Sequence, residues 1–376
     1  VLLTSINFAV FSMFLYRAYH YMESTQFCGQ FCHTVMQPEH TAFENSPHSR
    51  VACVECHIGS GADWFVKSKI SGARQLLAMA AGTYPTPIKT PVHGLRPARE
   101  TCEECHRPEL FHGDKLNVTK SYLPDEQNSE VNNVVLMKIG SAGDRAQSSH
   151  GIHWHVAPEN KITYRATDHN RMVIPEVTLT QADGTVTVFK TSDAEEVLKG
   201  QDHGADVREM DCIDCHNRPS HIYLQPDDAL DRKLAEGDIP QELPYIKQQA
   251  MELITIEYET SELAAKEITG GLNRWYKENY PEVIANNPEL LQKAIDGVLK
   301  AFSENVFPAM KVSWGTYVNH ISHGPDFAIG CFRCHDDMHE TPEGKTISAD
   351  CNTCHTLLAI EEKDPAILKT LQGASL

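Results

Sequence analysis

The sequence predicts a mainly α-helical chain with extensive loops, led by one N-terminal transmembrane helix and carrying one small β-hairpin insertion. Three observations predict it. A cysteine–histidine signature recurs six times, an apolar run opens the chain, and the stretches between signatures show helical spacing or a single strand–turn–strand pattern.

The signatures are Cys28, Cys32, His33; Cys53, Cys56, His57; Cys102, Cys105, His106; Cys212, Cys215, His216; Cys331, Cys334, His335; and Cys351, Cys354, His355. Five read C-x-x-C-H, and the first has three residues between its cysteines. This is the attachment pattern of c-type haem: two thiols form thioethers to one porphyrin, and the adjacent histidine ligates its iron. The six motifs use all 12 cysteines, so no thiol remains for disulfides. A zinc reading would need cysteines or histidines grouped in fours, and a disulfide scaffold would not require a histidine after every second cysteine. Six covalently attached haems would supply large apolar faces, so the polypeptide wraps cofactors with many loops, in keeping with its 20 prolines and 22 glycines.

A net charge of −18 argues against nucleic acid or an anionic lipid surface as the main partner of the soluble part. It suits an electron carrier that docks on basic patches, or plain solubility. Covalent haem attachment takes place outside the energy-converting membrane, which places the bulk of the chain in the periplasm.

Residues 1–22 read as a single anchor in the inner membrane. Residues 1–16 are apolar apart from Thr4, Ser5, Asn7 and Ser12, and Arg17 and three tyrosines (16, 19 and 21) follow as an interfacial belt. Sixteen residues fall short of the roughly 20 that cross a bilayer, and the sequence starts at Val1 rather than Met. The rival is a cleaved signal peptide, but no basic n-region or A-x-A-like site precedes Cys28.

Residues 23–115 hold three motifs. The stretches FCGQFCHTVMQPEH and SPHSRVACVECHIGSGADWFVKSKISGARQ resemble the NapC/NirT family of membrane-anchored quinol dehydrogenases, a likeness covering the first third of the chain. The resemblance implies a first haem beside the membrane and a quinol site for menaquinol or ubiquinol. It also implies a methionine ligand just after the first motif. Met36 is the matching position, three residues past His33 where the family pattern has two. The family places a lysine and a carboxylate on a helix after the second motif. Here that helix offers Lys67 and Lys69, with Gln75 where the acid would fall, and Glu23, Glu39 and Glu44 as other proton routes.

Low-spin c haems take a second axial ligand, commonly histidine. His48 before the second motif is a good candidate, with His40, His93 and His112 weaker. The run SSHGIHWH clusters His150, His153 and His155, of which His153 or His155 fits best. His221, five residues past His216, is too near to share its iron and would ligate a neighbouring haem. His320, His323 and His339 surround the fifth motif as further candidates.

Residues 116–205 otherwise carry a hairpin, with Val177 and Leu179 alternating before the turn, Val186 and Val188 after it, and Asp183-Gly184 offering type I′ turn chemistry. Residues 206–226 hold the fourth motif. Residues 227–318 lack cysteine and read as helical, with an Asn287-Pro288 start signal and a break at Gly270-Gly271. Residues 319–376 form a dihaem module with a peripheral tail. These features predict a membrane-anchored hexahaem cytochrome carrying electrons from quinol to periplasmic acceptors. One alternative is a cytochrome subunit of a larger respiratory complex, beside cytochrome b or iron–sulfur partners and without its own quinol site. The other is a multihaem reductase.

Overall fold

The computed structural model describes residues 1–31, 33–59, 61–92, 96–111, 113–140, 151–199, 207–324 and 326–373. Helix α1 (Leu2–Met22) opens the chain and buries none of its residues. Among the described residues no helix is long and apolar enough to cross a membrane. Thr4, Ser5, Asn7 and Ser12 dilute the apolar run, and Arg17 and His20 polarise its end. The expected segment is therefore helical, over Leu2–Met22, but without the apolarity of a transmembrane segment.

A π-helical turn at Phe27–Phe31 leads into α2 (His33–Glu44). A π turn holds one residue more than an α turn, which accommodates the extra residue of the first motif. Helices α3 (Cys53–His57), α4 (Ala62–Ala81) and α5 (Ala98–Cys102) follow. The 20-residue α4 stops at Gly82, whose φ of +64° is the left-handed cap that glycine adopts freely.

The remainder is more β-rich than the sequence suggests, and the expectation of a mainly α fold gives way to a mixed one. Strands β1 (Lys115–Tyr122) and β2 (Glu130–Met137) pair antiparallel. A second sheet contains β3 (Asn160–Arg165), β4 (Glu176–Gln181), β5 (Val186–Lys190) and, after α6 (Ala194–Lys199), β6 (Val207–Glu209), in the order β5-β4-β3-β6. The β4–β5 hairpin is the expected one, but its turn differs. Gln181 and Thr185 close a three-residue loop with Gly184 at φ +86°, a type I turn with a glycine bulge rather than a two-residue type I′ turn.

Helix α7 (Cys212–Cys215) carries the fourth motif. Then come α8 (Pro226–Ala235), α9 (Ile246–Ile254), α10 (Ser261–Asn279), α11 (Pro281–Asn286) and α12 (Pro288–Ser303). They form the expected helical segment, and Leu230, Ile246, Ile268, Leu272, Ile295 and Val298 close its core. Asn287 caps α12 as predicted, accepting from Leu290 N–H at 3.3 Å. Gly270-Gly271 does not break α10. A Cβ on Gly271 would lie 2.6 Å from Leu253, so this glycine lets α9 and α10 approach. Strand β7 (His355–Glu362) pairs with β2 and completes the order β1-β2-β7, before α13 (Ala366–Gly373). The C-terminal segment is thus part of a sheet, not a peripheral tail.

Candidate metal centres

Each described motif winds into a short helical turn. Cysteines three apart on such a turn lie on one side, and the histidine follows directly. Its N–H bonds back to the carbonyl of the first cysteine: His106 to Cys102 at 2.8 Å, His216 to Cys212 at 2.8 Å and His335 to Cys331 at 2.9 Å. The fourth turn is further braced by Asp214, which closes a capping box with Asp211. The buried Asp214 carboxylate also accepts from Tyr164 at 2.5 Å, Arg171 at 3.0 Å and Arg208 at 3.1 Å. Desolvation works against the Arg208 charge, but Asp214 outweighs it and raises the pKa of the guanidinium above its usual value.

Consecutive motifs are neighbours in space. The Cys53 thiol meets Cys28, Cys102 meets Cys212, and Cys331 meets Cys354. Helix α3 packs on α5, and α5 on α7. Arg333, inside the fifth motif, donates to the Asp214 carbonyl of the fourth at 2.5 Å and to the Arg171 carbonyl at 2.9 Å. Cys32, the His33 side chain, His93, His112 and His150 lie outside the described residues.

The histidines decide what the motifs can hold. Each of the five described motif histidines faces a second histidine. The ring centroids stand 6.2 Å apart for His57–His221, 6.1 Å for His106–His48, 6.4 Å for His216–His153, 5.8 Å for His335–His155 and 6.5 Å for His355–His323. Two imidazoles on opposite sides of one metal, with metal–nitrogen bonds of about 2 Å, hold their centroids roughly 6 Å apart. The second histidine of every pair is also oriented. Its Nδ1 faces a backbone carbonyl: Pro219 for His48 at 3.0 Å, Ile139 for His153 at 2.6 Å, Ile152 for His155 at 2.8 Å, Glu39 for His221 at 2.9 Å and Gly324 for His323 at 2.8 Å. Such a bond fixes the tautomer and leaves Nε2 as the ligating atom. Burial first, and the facing imidazole second, hold His57, His216 and His355 below the ordinary histidine value, and burial does the same to His155. The neutral ring is the form that ligates metal. Free thiols beside each motif histidine, opposite a second histidine, fit an iron porphyrin held by two thioethers and two imidazoles.

No protein-family model matches the chain, and no solved structure matches it. Two curated relatives do. The cytochrome c-type protein ImcH of Geobacter sulfurreducens is 44% identical over 344 residues, 90% of this chain and 66% of the relative. The cytochrome c-type protein NrfH of Wolinella succinogenes is 33% identical over 78 residues, 20% of this chain and 44% of the relative. The chain belongs to the NapC/NirT-type multihaem cytochromes c. It spans just under two thirds of the length of the first relative and less than half of the second.

Within this NapC/NirT-type chain, other predicted site residues divide. His339 is almost fully buried, and both ring nitrogens are engaged, Nδ1 with Asp336 at 2.9 Å and Nε2 with the Ile174 carbonyl at 2.6 Å. It is a satisfied core histidine, not a ligand. His320 is buried beside Arg333 and Arg171 and, among the described residues, faces no motif ring; the nearby His323 pairs with His355 instead. Met36 is half-buried on α2, one turn past His33. Around the expected quinol site, Lys69 Nζ lies 3.0 Å from Glu23 Oε1 and 4.8 Å from the Phe65 ring centroid. Burial opposes the Glu23 charge, but hydrogen bonds from Tyr19 and Lys69 outweigh it and hold the carboxyl below its usual range. The carboxylate beside Lys69 is thus Glu23, which caps the C-terminus of α1. Lys67 lies over Trp64 at 4.2 Å, and Gln75 bonds Ser71 at 3.3 Å, so neither joins this pair. Sequence reasoning missed Glu39 as the group that orients His221: its Oε2 lies 3.1 Å from Nδ1, and Arg218 sits 3.8 Å from its other oxygen.

Proposed function

We propose that the chain is a membrane-attached hexahaem cytochrome that takes electrons from quinol at its N-terminal end and passes them to a periplasmic redox partner. The observation that carries this reading is the set of five facing histidine pairs, each beside a pair of free cysteines. When bound, each haem supplies a one-electron iron couple. The chain's own groups do the rest. The cysteines would tether each haem, the motif histidines and their facing partners would ligate its iron, and backbone carbonyls hold the partner rings. Helix α1, which buries none of its residues against the rest of the chain, is the surface assigned to the membrane. At its end Glu23, kept ionised by Lys69 and Tyr19, accepts a hydroxyl proton as quinol is oxidised. Lys69 orients the same hydroxyl.

A mature chain with six porphyrin adducts by mass, oxidising a quinol analogue, is the expected result. Glu23→Gln lowers that oxidation at least about a hundredfold, the lower end of the range for a lost proton acceptor, with haem content unchanged. Unchanged quinol oxidation in Glu23→Gln removes the assigned role of this carboxylate. A second reading, a cytochrome subunit of a larger respiratory complex, is favoured by one observation: α4 carries no carboxylate beside Lys69 and borrows one from α1. Failure of the purified chain to oxidise quinol, with six haems present, selects it. The reductase reading is weaker, because each of the five described motif histidines has an opposing ring.

A further inference from the structure

We infer that the turn Ile152–Val156 is a two-iron clip, with His153 the second axial ligand at the fourth motif and His155 at the fifth. The inference rests on the haem reading and goes beyond it, since it assigns two residues of one turn to two different irons. His153 lies parallel to the His216 ring, 2° between planes and 6.4 Å between centroids. His155 lies 5.8 Å from His335. On a 3-10 turn of three residues per cycle, side chains two apart point in different directions. One turn can therefore serve two sites but cannot place both rings on one iron.

The turn is built to hold that aim. Ile152 N–H donates to the Lys138 carbonyl at 2.8 Å, tying its start to the end of β2. Gly151, at φ +90°, lets the backbones meet: a Cβ there would lie 2.4 Å from the Lys138 oxygen. Trp154, between the two histidines, packs against the core of Ile162, Tyr164, Ile174 and Val177. His153 Nδ1 is committed to Ile139 and His155 Nδ1 to Ile152. The fourth and fifth motifs are in contact independently of the clip, through Arg333 and the Asp214 carbonyl. The clip then links the fourth and fifth sites through one short turn, whereas along the chain Cys215 and Cys331 are separated by a long cysteine-free helical segment.

The test uses the full, haem-loaded chain. His153→Gly and His155→Gly are each expected to convert one low-spin iron to high spin by electron paramagnetic resonance, reversed by added imidazole. In a Cys331→Ala/Cys334→Ala background, which lacks the fifth haem, His155→Gly adds no high-spin signal, whereas His153→Gly still does. His339→Gln leaves the spectrum unchanged. Should the glycine variants misfold, His153→Met and His155→Met keep a ligand and are expected to stay low-spin with one iron's potential raised. Haem number by mass is read alongside. Fewer than five adducts in the parent chain sinks the haem reading itself. A full complement with no spin change in either glycine variant, or a His155→Gly signal that persists without the fifth haem, sinks the clip alone.

Discussion

His221 shows how much of a metal centre rests on groups that never touch the metal. Its Nδ1 faces both the Glu39 carbonyl and the Glu39 carboxylate, and Glu39 is buried against Arg218. A carboxylate behind an imidazole makes it a stronger donor to iron and favours the oxidised state. Glu39→Gln is therefore expected to raise the potential of one haem by roughly 60 mV, a tenfold shift in a one-electron equilibrium. A redox titration resolved by haem reads it. His320 supplies a pH prediction. Burial, and then the Arg333 charge, push its pKa down to about 4, below the roughly 6.5 of an unfolded histidine. Between those values the unfolded chain binds more protons. Stability contributed by neutral His320 is therefore present above pH 6.5 and lost as pH falls toward 4, up to about 3 kcal/mol. His320→Gln should flatten that part of the stability–pH curve, and an unchanged slope would count against the assignment. At this scale the motif residues were legible, because covalent chemistry fixes their spacing. The pairing was not. His48, His153, His155, His221 and His323 stand out as candidates, but their orienting partners are mostly backbone carbonyls, which every residue carries.

Elements are joined by buried polar contacts that periodicity does not reveal. Asn128, at the β1–β2 turn, donates to the Gln241 carbonyl at 2.9 Å and the Leu243 carbonyl at 2.8 Å, and accepts from Lys247 N–H at 3.0 Å. The Lys247 ammonium is buried against Asp231 at 2.6 Å and Asp227 at 2.9 Å. These contacts dock β1 and β2 onto α8 and α9. Lys247→Met leaves Asp231 without its cation in a buried place and is expected to cost about 3–5 kcal/mol in urea unfolding followed by circular dichroism. Adding Asp231→Leu should recover much of the loss. If the double variant is no more stable than the single, the ion pair is not what holds the sheet to the helices. The α10 and α12 stripes and the Asn287 cap were readable because helical packing is local. Strands β1, β2 and β7 were not. Most of β1 is exposed, so no alternation marks it, and β2 finds β7 more than two hundred residues later, a pairing that leaves no short-range pattern.

Across the molecule, two kinds of interior stand side by side. The helices α8–α12 close a core of aliphatic and aromatic side chains on their own. The motif turns do not: α3 and the turn Cys351–Thr353 bury no residue, and α5 buries Ala98. Apolar surface that porphyrins would cover supplies what those turns lack, because burial of such surface is the main favourable contribution to folding. The two regions should therefore respond differently to loss of the cofactor. In chain produced without haem attachment, amide exchange is expected to stay slow across residues 226–303, where the core is self-sufficient. It should become fast at 53–57, 102–106 and 351–355, where few contacts remain to hold the turns. Slow exchange at all three motif turns in the haem-free chain would mean that the polypeptide alone builds these centres. The sequence could show that residues 227–318 form helices, but not that they fold independently of the cofactor: that follows from which side chains meet one another rather than a porphyrin, and periodicity marks an apolar face without saying what covers it.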